Sequence, residues 1–280
     1  MFRRIRRIAW EDAKVFFINS KMILILFEFI FFCETFMVHV KELCKLSGFK
    51  VSYFEPYLLI ACGDMFFLAI PLVYMVLLLG FPSKRSMNYF SLIRVSRLEW
   101  VIGDFVFLII SAIGYMIMLI AGLVIYMNKY VTYQNDWSAY MLDYHKTNPD
   151  VFETNTDYFL DVSMMTHGNP MKVCVHSVLL MLCMLVCLAL TQMLFTILNK
   201  KYMGVLIILG MTLGSALSSY SNSIVKWIFP MTHTNYGVHF DGIRAQKNMG
   251  LEISYLYFGV LIIILLGLNI FIAKKINMDG

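Results

Sequence analysis

Four carboxylates stand inside stretches that are otherwise apolar. Glu28 and Glu34 lie within residues 22–40, Asp64 within 57–79, and Asp104 near the start of 101–127. A charge in hydrocarbon is costly unless it is paired or wetted. Each of these groups therefore marks a proton relay, a hydrated path, or a bond to a Ser, Thr, Tyr or Lys on a neighbouring helix. Glu28 and Glu34 are six positions apart, about 120° from alignment on an α-helix, so they form no single acidic stripe. Asp104 is close enough to the end of its run to reach the interface.

Other chemistry is not legible. The six histidines (His39, His145, His167, His176, His233, His239) are scattered, and H-E-x-x-H, G-x-S-x-G and G-x-x-x-x-G-K-[ST] do not occur. No catalytic residue, metal ligand set or bound cofactor is expected of this chain. Asp136, Asp143, Asp150 and Asp157 recur every seven residues, but without the calcium-loop pattern and with Pro149 between them. The six cysteines include no C-x-x-C pair. Cys44 and Cys174 could meet in a disulfide if both lie near the outer face; the others read as small apolar residues inside spans.

The elements that would position these groups are membrane helices. The chain has 280 residues, 60% hydrophobic and 15% charged, with a mean hydropathy of +0.71. A soluble protein of this length would need more charge to cover its surface. Six apolar runs have spanning length, at 22–40, 57–79, 101–127, 173–198, 203–220 and 253–273. The expected fold is all-α: a polytopic membrane protein, one domain over 1–280, with six transmembrane helices.

Lys and Arg are more than twice as dense in 1–21, 80–100, 199–201 and 274–280 as in 41–56, 128–172 and 221–250. The positive-inside rule then puts both termini in the cytoplasm. The first run has no small-residue cleavage site and is expected to stay as a span. Ahead of it, Phe2, Ile5, Ala9, Ala13 and Phe16 share one helix face, while Arg3, Arg4, Arg7, Glu11 and Lys14 take the other. Residues 1–21 are thus expected to form an interfacial helix that turns its cations to lipid headgroups.

The outer segments differ in character. Residues 128–170 are acidic and aromatic, as in a small folded cap. Residues 221–250 contain a short apolar piece broken at Pro230, which reads as a re-entrant hairpin. Within 203–220, Gly210 and Gly214 leave a bare face for close packing or a path lining. Pro71 should kink the second span and shape a cavity wall.

The order of parts resembles the permease subunits of bacterial type-2 ABC transporters. The run IRVSRLEWVIGDF, residues 93–105, looks like that family's lead into its third span. Two departures are the long loop 128–170 and Asp104, where a lysine would be expected after Gly103. The resemblance implies that 80–100 is a cytoplasmic coupling segment docking on a separate ATPase subunit, which holds ATP and Mg²⁺. Leu92, Arg94, Val95, Arg97, Leu98, Glu99 and Trp100 would make that contact. It further implies a second permease subunit, surrounding membrane lipid, no nucleic acid, and a path lined by Glu28, Glu34, Asp64, Pro71, Gly210 and Gly214. Such a chain would sit in the bacterial plasma membrane and export an amphipathic or hydrophobic cargo. The residues alone leave two alternatives: a membrane immunity or sensor protein capturing a peptide at its outer loop, and a proton-coupled carrier.

Overall fold

The computed structural model describes residues 1–62, 68–82, 95–139, 141–142, 160, 162–219, 224–240 and 248–275. Its helices are α1 (Phe2–Ile18), α2 (Ile23–Phe32), α3 (Val38–Ser47), α4 (Glu55–Ala61), α5 (Ala69–Leu77), α6 (Arg97–Tyr126), α7 (Val162–His167), α8 (Pro170–Ile197), α9 (Lys201–Ser219) and α10 (Leu251–Lys275). A π-helical segment, Cys33–Met37, joins α2 to α3, so Ser20–Ser47 runs as one rod. Among the described residues, four helical stretches are long and apolar enough to cross a bilayer: Ser20–Ser47, Arg97–Tyr126, Pro170–Ile197 and Leu251–Lys275. In α9 the apolar stretch is shorter, Lys201–Ser215. The protein is a mostly helical membrane protein.

The long helices start where their sequences supply a cap. Asn169 accepts a hydrogen bond from the Lys172 N–H, with Pro170 in the first turn of α8. Gly48, at φ 73°, ends α3 in the left-handed conformation that a side chain resists. Asn199, at φ 57°, turns the chain from α8 into α9. Central to the bundle is α8, which packs on α4, α5, α6, α9 and α10. It runs parallel to α10: near their starts His176 meets Tyr255 at 2.9 Å, and near their ends Asn269 donates to the Leu190 carbonyl at 3.1 Å. Of the four long stretches, α10 is the least covered by the rest of the chain.

One end of the bundle collects the basic segments. The N-terminal ammonium faces Glu99, Lys21 donates to the Leu79 carbonyl at 2.8 Å, and Arg97 donates to the Lys274 carbonyl. The opposite end is tied by a two-stranded parallel pair, β1 (Val51–Ser52) with β2 (Val131–Thr132). There Trp137 Nε1 donates to the Gly168 carbonyl at 2.8 Å. Three 3₁₀ turns, Ile224–Ile228, Pro230–His233 and Gly237–His239, occupy the segment expected to be a hairpin.

Candidate functional site

At the basic end, Ser96 and Glu99 form a reciprocal cap on α6. The Glu99 N–H donates to Ser96 Oγ at 3.2 Å, and the Ser96 N–H donates to Glu99 Oε2 at 3.0 Å. Glu99 also holds α1, with Oε2 3.5 Å from Arg4 Nη1 and Oε1 3.8 Å from the terminal ammonium. One side chain therefore belongs both to the start of α6 and to the start of α1.

The structure covers the expected coupling residues unevenly. Trp100 is 2% exposed, so its indole is already covered within the chain. Glu99 is buried in the α1 contact. Val95 and Arg97 are half-buried, and among the described residues of this set only Leu98 is exposed. Leu92 and Arg94 lie outside the described residues.

Ile8, Phe17 and Phe29 reach glycines on α6. A Cβ at Gly103 would stand 2.8 Å from Ile8 Cγ2, and one at Gly122 would stand 3.0 Å from the Phe29 ring. At Gly114 a Cβ would collide with the ring of Phe17. The buried face of α1 is Ile5, Ala9, Ala13 and Phe16, with Phe16 edge-on to Phe107. These residues follow the expected periodicity, but what they meet is α6. Phe2, assigned to the same face, is 87% exposed. It stands at the rim of the groove that α1 forms with Val106 and Ile110 of α6.

Asp12 of α1 faces Asp104 of α6 inside this seam. Asp12 Oδ2 and both Asp104 oxygens are buried with no donor from another described group. A proton between the two carboxyls is what can satisfy them. Burial foremost pushes the Asp12 carboxyl up to about 6; the hydrogen bond with Asp104 lowers it and nearby Glu11 raises it.

Deeper in the bundle, the Tyr115 hydroxyl lies 2.7 and 2.8 Å from the two oxygens of Glu28 and 2.9 Å from the Ile70 carbonyl. Tyr74 stands beside it, ring centroids 5.4 Å apart, and pairs with Ser111 at 2.8 Å. Glu28 is thus a satisfied group at a junction of three helices. Glu34 lies exposed on the π-helical segment, and Asp64 falls outside the described residues. Pro71 does not break a helix interior: it is the third residue of α5, where an N–H would find no helical partner. Gly214 seats the Phe229 ring, whereas a Cβ at Gly210 would meet open space. The two glycines therefore share no packing partner. Among the described residues, Glu28, Glu34, Pro71, Gly210 and Gly214 do not converge on one path.

At the far end, Glu55 accepts from the Ser52 N–H at 3.1 Å and the Ser138 N–H at 2.7 Å. Burial lifts its carboxyl to about 7 despite both bonds. His233 stacks on Tyr257 at 4.2 Å, with Nε2 2.8 Å from the Trp227 carbonyl and Nδ1 2.8 Å from Ser254 Oγ. Since a carbonyl only accepts, Nε2 carries the hydrogen and Nδ1 accepts from Ser254. Burial holds this imidazole below its ordinary value. Cys44 and Cys174 are both buried free thiols, so the bridge that the sequence allows is not formed. Among the described residues no cluster of three or more His, Cys, Asp or Glu could hold a metal.

Sequence reasoning missed Tyr115, Asp12, Glu55 and the glycines of α6. The glycines gave a partial signal, since Gly103 and Gly114 lie eleven residues, about three turns, apart on one helix. Tyr115 gave none, because its partner Glu28 is 87 residues away. The class defined by fold and seam is a mostly helical membrane protein whose N-terminal amphipathic helix is docked on a helix of spanning length. No family model, curated protein or solved structure matches the chain.

Proposed function

We propose that this chain is the permease subunit of an ABC-type exporter in a bacterial plasma membrane. It would cross the membrane six times, keep both termini in the cytoplasm, and work beside a second permease subunit. A separate ATPase subunit would hold ATP and Mg²⁺. The cargo would be amphipathic or hydrophobic: a peptide, a drug or a lipid-like molecule.

One observation carries this reading. Glu99 caps α6 and grips the first turn of α1 at the same time. A force applied to the residues before Ser96 would enter a capped helix start, not a loose tether. It would pass along α6 and, through Ile8 on Gly103, into α1. A membrane subunit that must be driven from outside needs such a stiff entry point. The exposed apolar faces of α2 and α10 leave room for a second subunit or lipid.

Affinity purification of the full chain in mild detergent tests this directly. A nucleotide-hydrolysing subunit should accompany the wild type and be lost from Arg94→Glu/Arg97→Glu. Its absence from the wild type, or its retention by the variant, would count against the proposal. A proton-coupled carrier is the second reading, and the buried Glu28–Tyr115 pair is what favours it. Transport that survives collapse of the proton gradient would eliminate it.

A further inference from the structure

We propose that the groove between α1 and α6 is a binding site for one anionic phospholipid. The groove is a cavity of about 980 Å³, lined by Arg3, Arg6, Arg7 and Trp10 from α1 and by Val106 and Ile110 from α6. That volume lies at the upper end of what ligand sites enclose.

Its lining divides by chemistry. Arg3, Arg6 and Arg7 sit at spacings of three and four, so their guanidiniums share a face of α1. Among the described residues no carboxylate lies within ion-pair distance of any of the three; Arg4 has Glu99 instead. The first turn of α1 contains no acidic residue, and Glu99 is taken up by Arg4 and the terminal ammonium, so the three guanidiniums keep their charge unbalanced. An anion is what this surface lacks, and the planar guanidinium fork suits a phosphate.

The other wall selects against a free anion or an acidic protein segment. Val106 and Ile110 belong to a membrane-crossing stretch, and Ile110 is exposed beside the groove. An occupant must present phosphate oxygens at one end and hydrocarbon at the other, with Trp10 between them as an interface anchor. An anionic phospholipid has that order of parts. It would hold α1 to α6 from the bilayer side, opposite the Glu99 contact. This inference needs the membrane setting but does not depend on transport or on an ATPase.

The test uses the full chain in phosphatidylcholine vesicles doped with a low mole fraction of lipid brominated on its acyl chains. Bromine quenches indole on contact, and the Trp10 signal is the difference between wild type and Trp10→Phe. Brominated phosphatidylglycerol should quench Trp10 several-fold more than brominated phosphatidylcholine at the same mole fraction. Arg3→Gln/Arg6→Gln/Arg7→Gln should bring that ratio to about one. Val106→Phe, which fills the groove but keeps every charge, should also lower it, and serves if the triple variant does not insert. Equal quenching by the two lipids in the wild type would overturn the proposal. So would a preference that persists in Val106→Phe.

Discussion

The Tyr115 hydroxyl sits 2.7 and 2.8 Å from the two carboxylate oxygens of Glu28, joining α6 to α2 across 87 residues of sequence. Among the described residues Tyr115 is the side chain that donates to Glu28, so loss of this hydroxyl leaves a buried carboxyl unsatisfied. Tyr115→Phe should lower stability by about 1–3 kcal/mol. Glu28→Gln, which keeps a polar partner for Tyr115, should cost less. Thermal unfolding in detergent ranks the two, and the opposite order would show that Tyr115 contributes mainly through its ring.

A side chain at Gly103 should displace α1. The Cβ would meet Ile8 Cγ2 at 2.8 Å, well inside contact distance, and the branched Ile8 has few rotamers with which to yield. Gly103→Val should cost about 1–3 kcal/mol through overpacking and speed tryptic nicking at the arginines of α1. Ile8→Ala in the same chain should restore slow nicking. Fast nicking in the double variant would place the damage within α6 itself.

Asp12 gives the α1–α6 seam a pH dependence of definite sign. Its carboxyl is raised from 3.8 to about 6, chiefly by burial, so the folded protein binds this proton more tightly than the unfolded chain does. The resulting stabilisation is complete below 3.8 and is lost as pH rises through about 6. Measured against Asp12→Asn, the wild-type Tm should fall across that interval and then level off. A gap between the two that does not change with pH would contradict the shared-proton seam.

Glu55 should act as a clasp on the far end. Its two oxygens accept from the backbone at Ser52 and Ser138, which joins β1 to the segment after β2. Glu55→Ala orphans both N–H groups, and should loosen residues 128–142 toward protease by several-fold while leaving α8 and α10 protected. Uniform loosening of the whole chain would mean that the clasp supports the bundle and not just the loop.

Much of the architecture can be read from composition, and little of the seam can. Apolar runs at 101–127, 173–198 and 253–273 mark α6, α8 and α10, because bilayer thickness fixes helix length. Periodicity finds the buried face of α1, since Ile5, Ala9, Ala13 and Phe16 recur at helical spacing. It cannot identify the surface they meet, because lipid and α6 are equally apolar. Pro71 misleads for a related reason: its effect depends on where the helix begins, and α5 begins just before it. Trp100 beside Arg97 reads as an exposed contact in sequence, yet it is buried within the folded chain. Glu28 announces itself as a buried charge, while the Tyr115 that answers it is an ordinary span aromatic.

The most direct test of the driven-permease proposal is a photo-crosslinking residue at Leu98, the exposed position on the start of α6, compared with one at Ile117, exposed in the middle of the same helix. With the native complex intact, position 98 should form an adduct with a nucleotide-hydrolysing subunit and position 117 should not. Adducts with lipid alone at both positions would contradict the proposal.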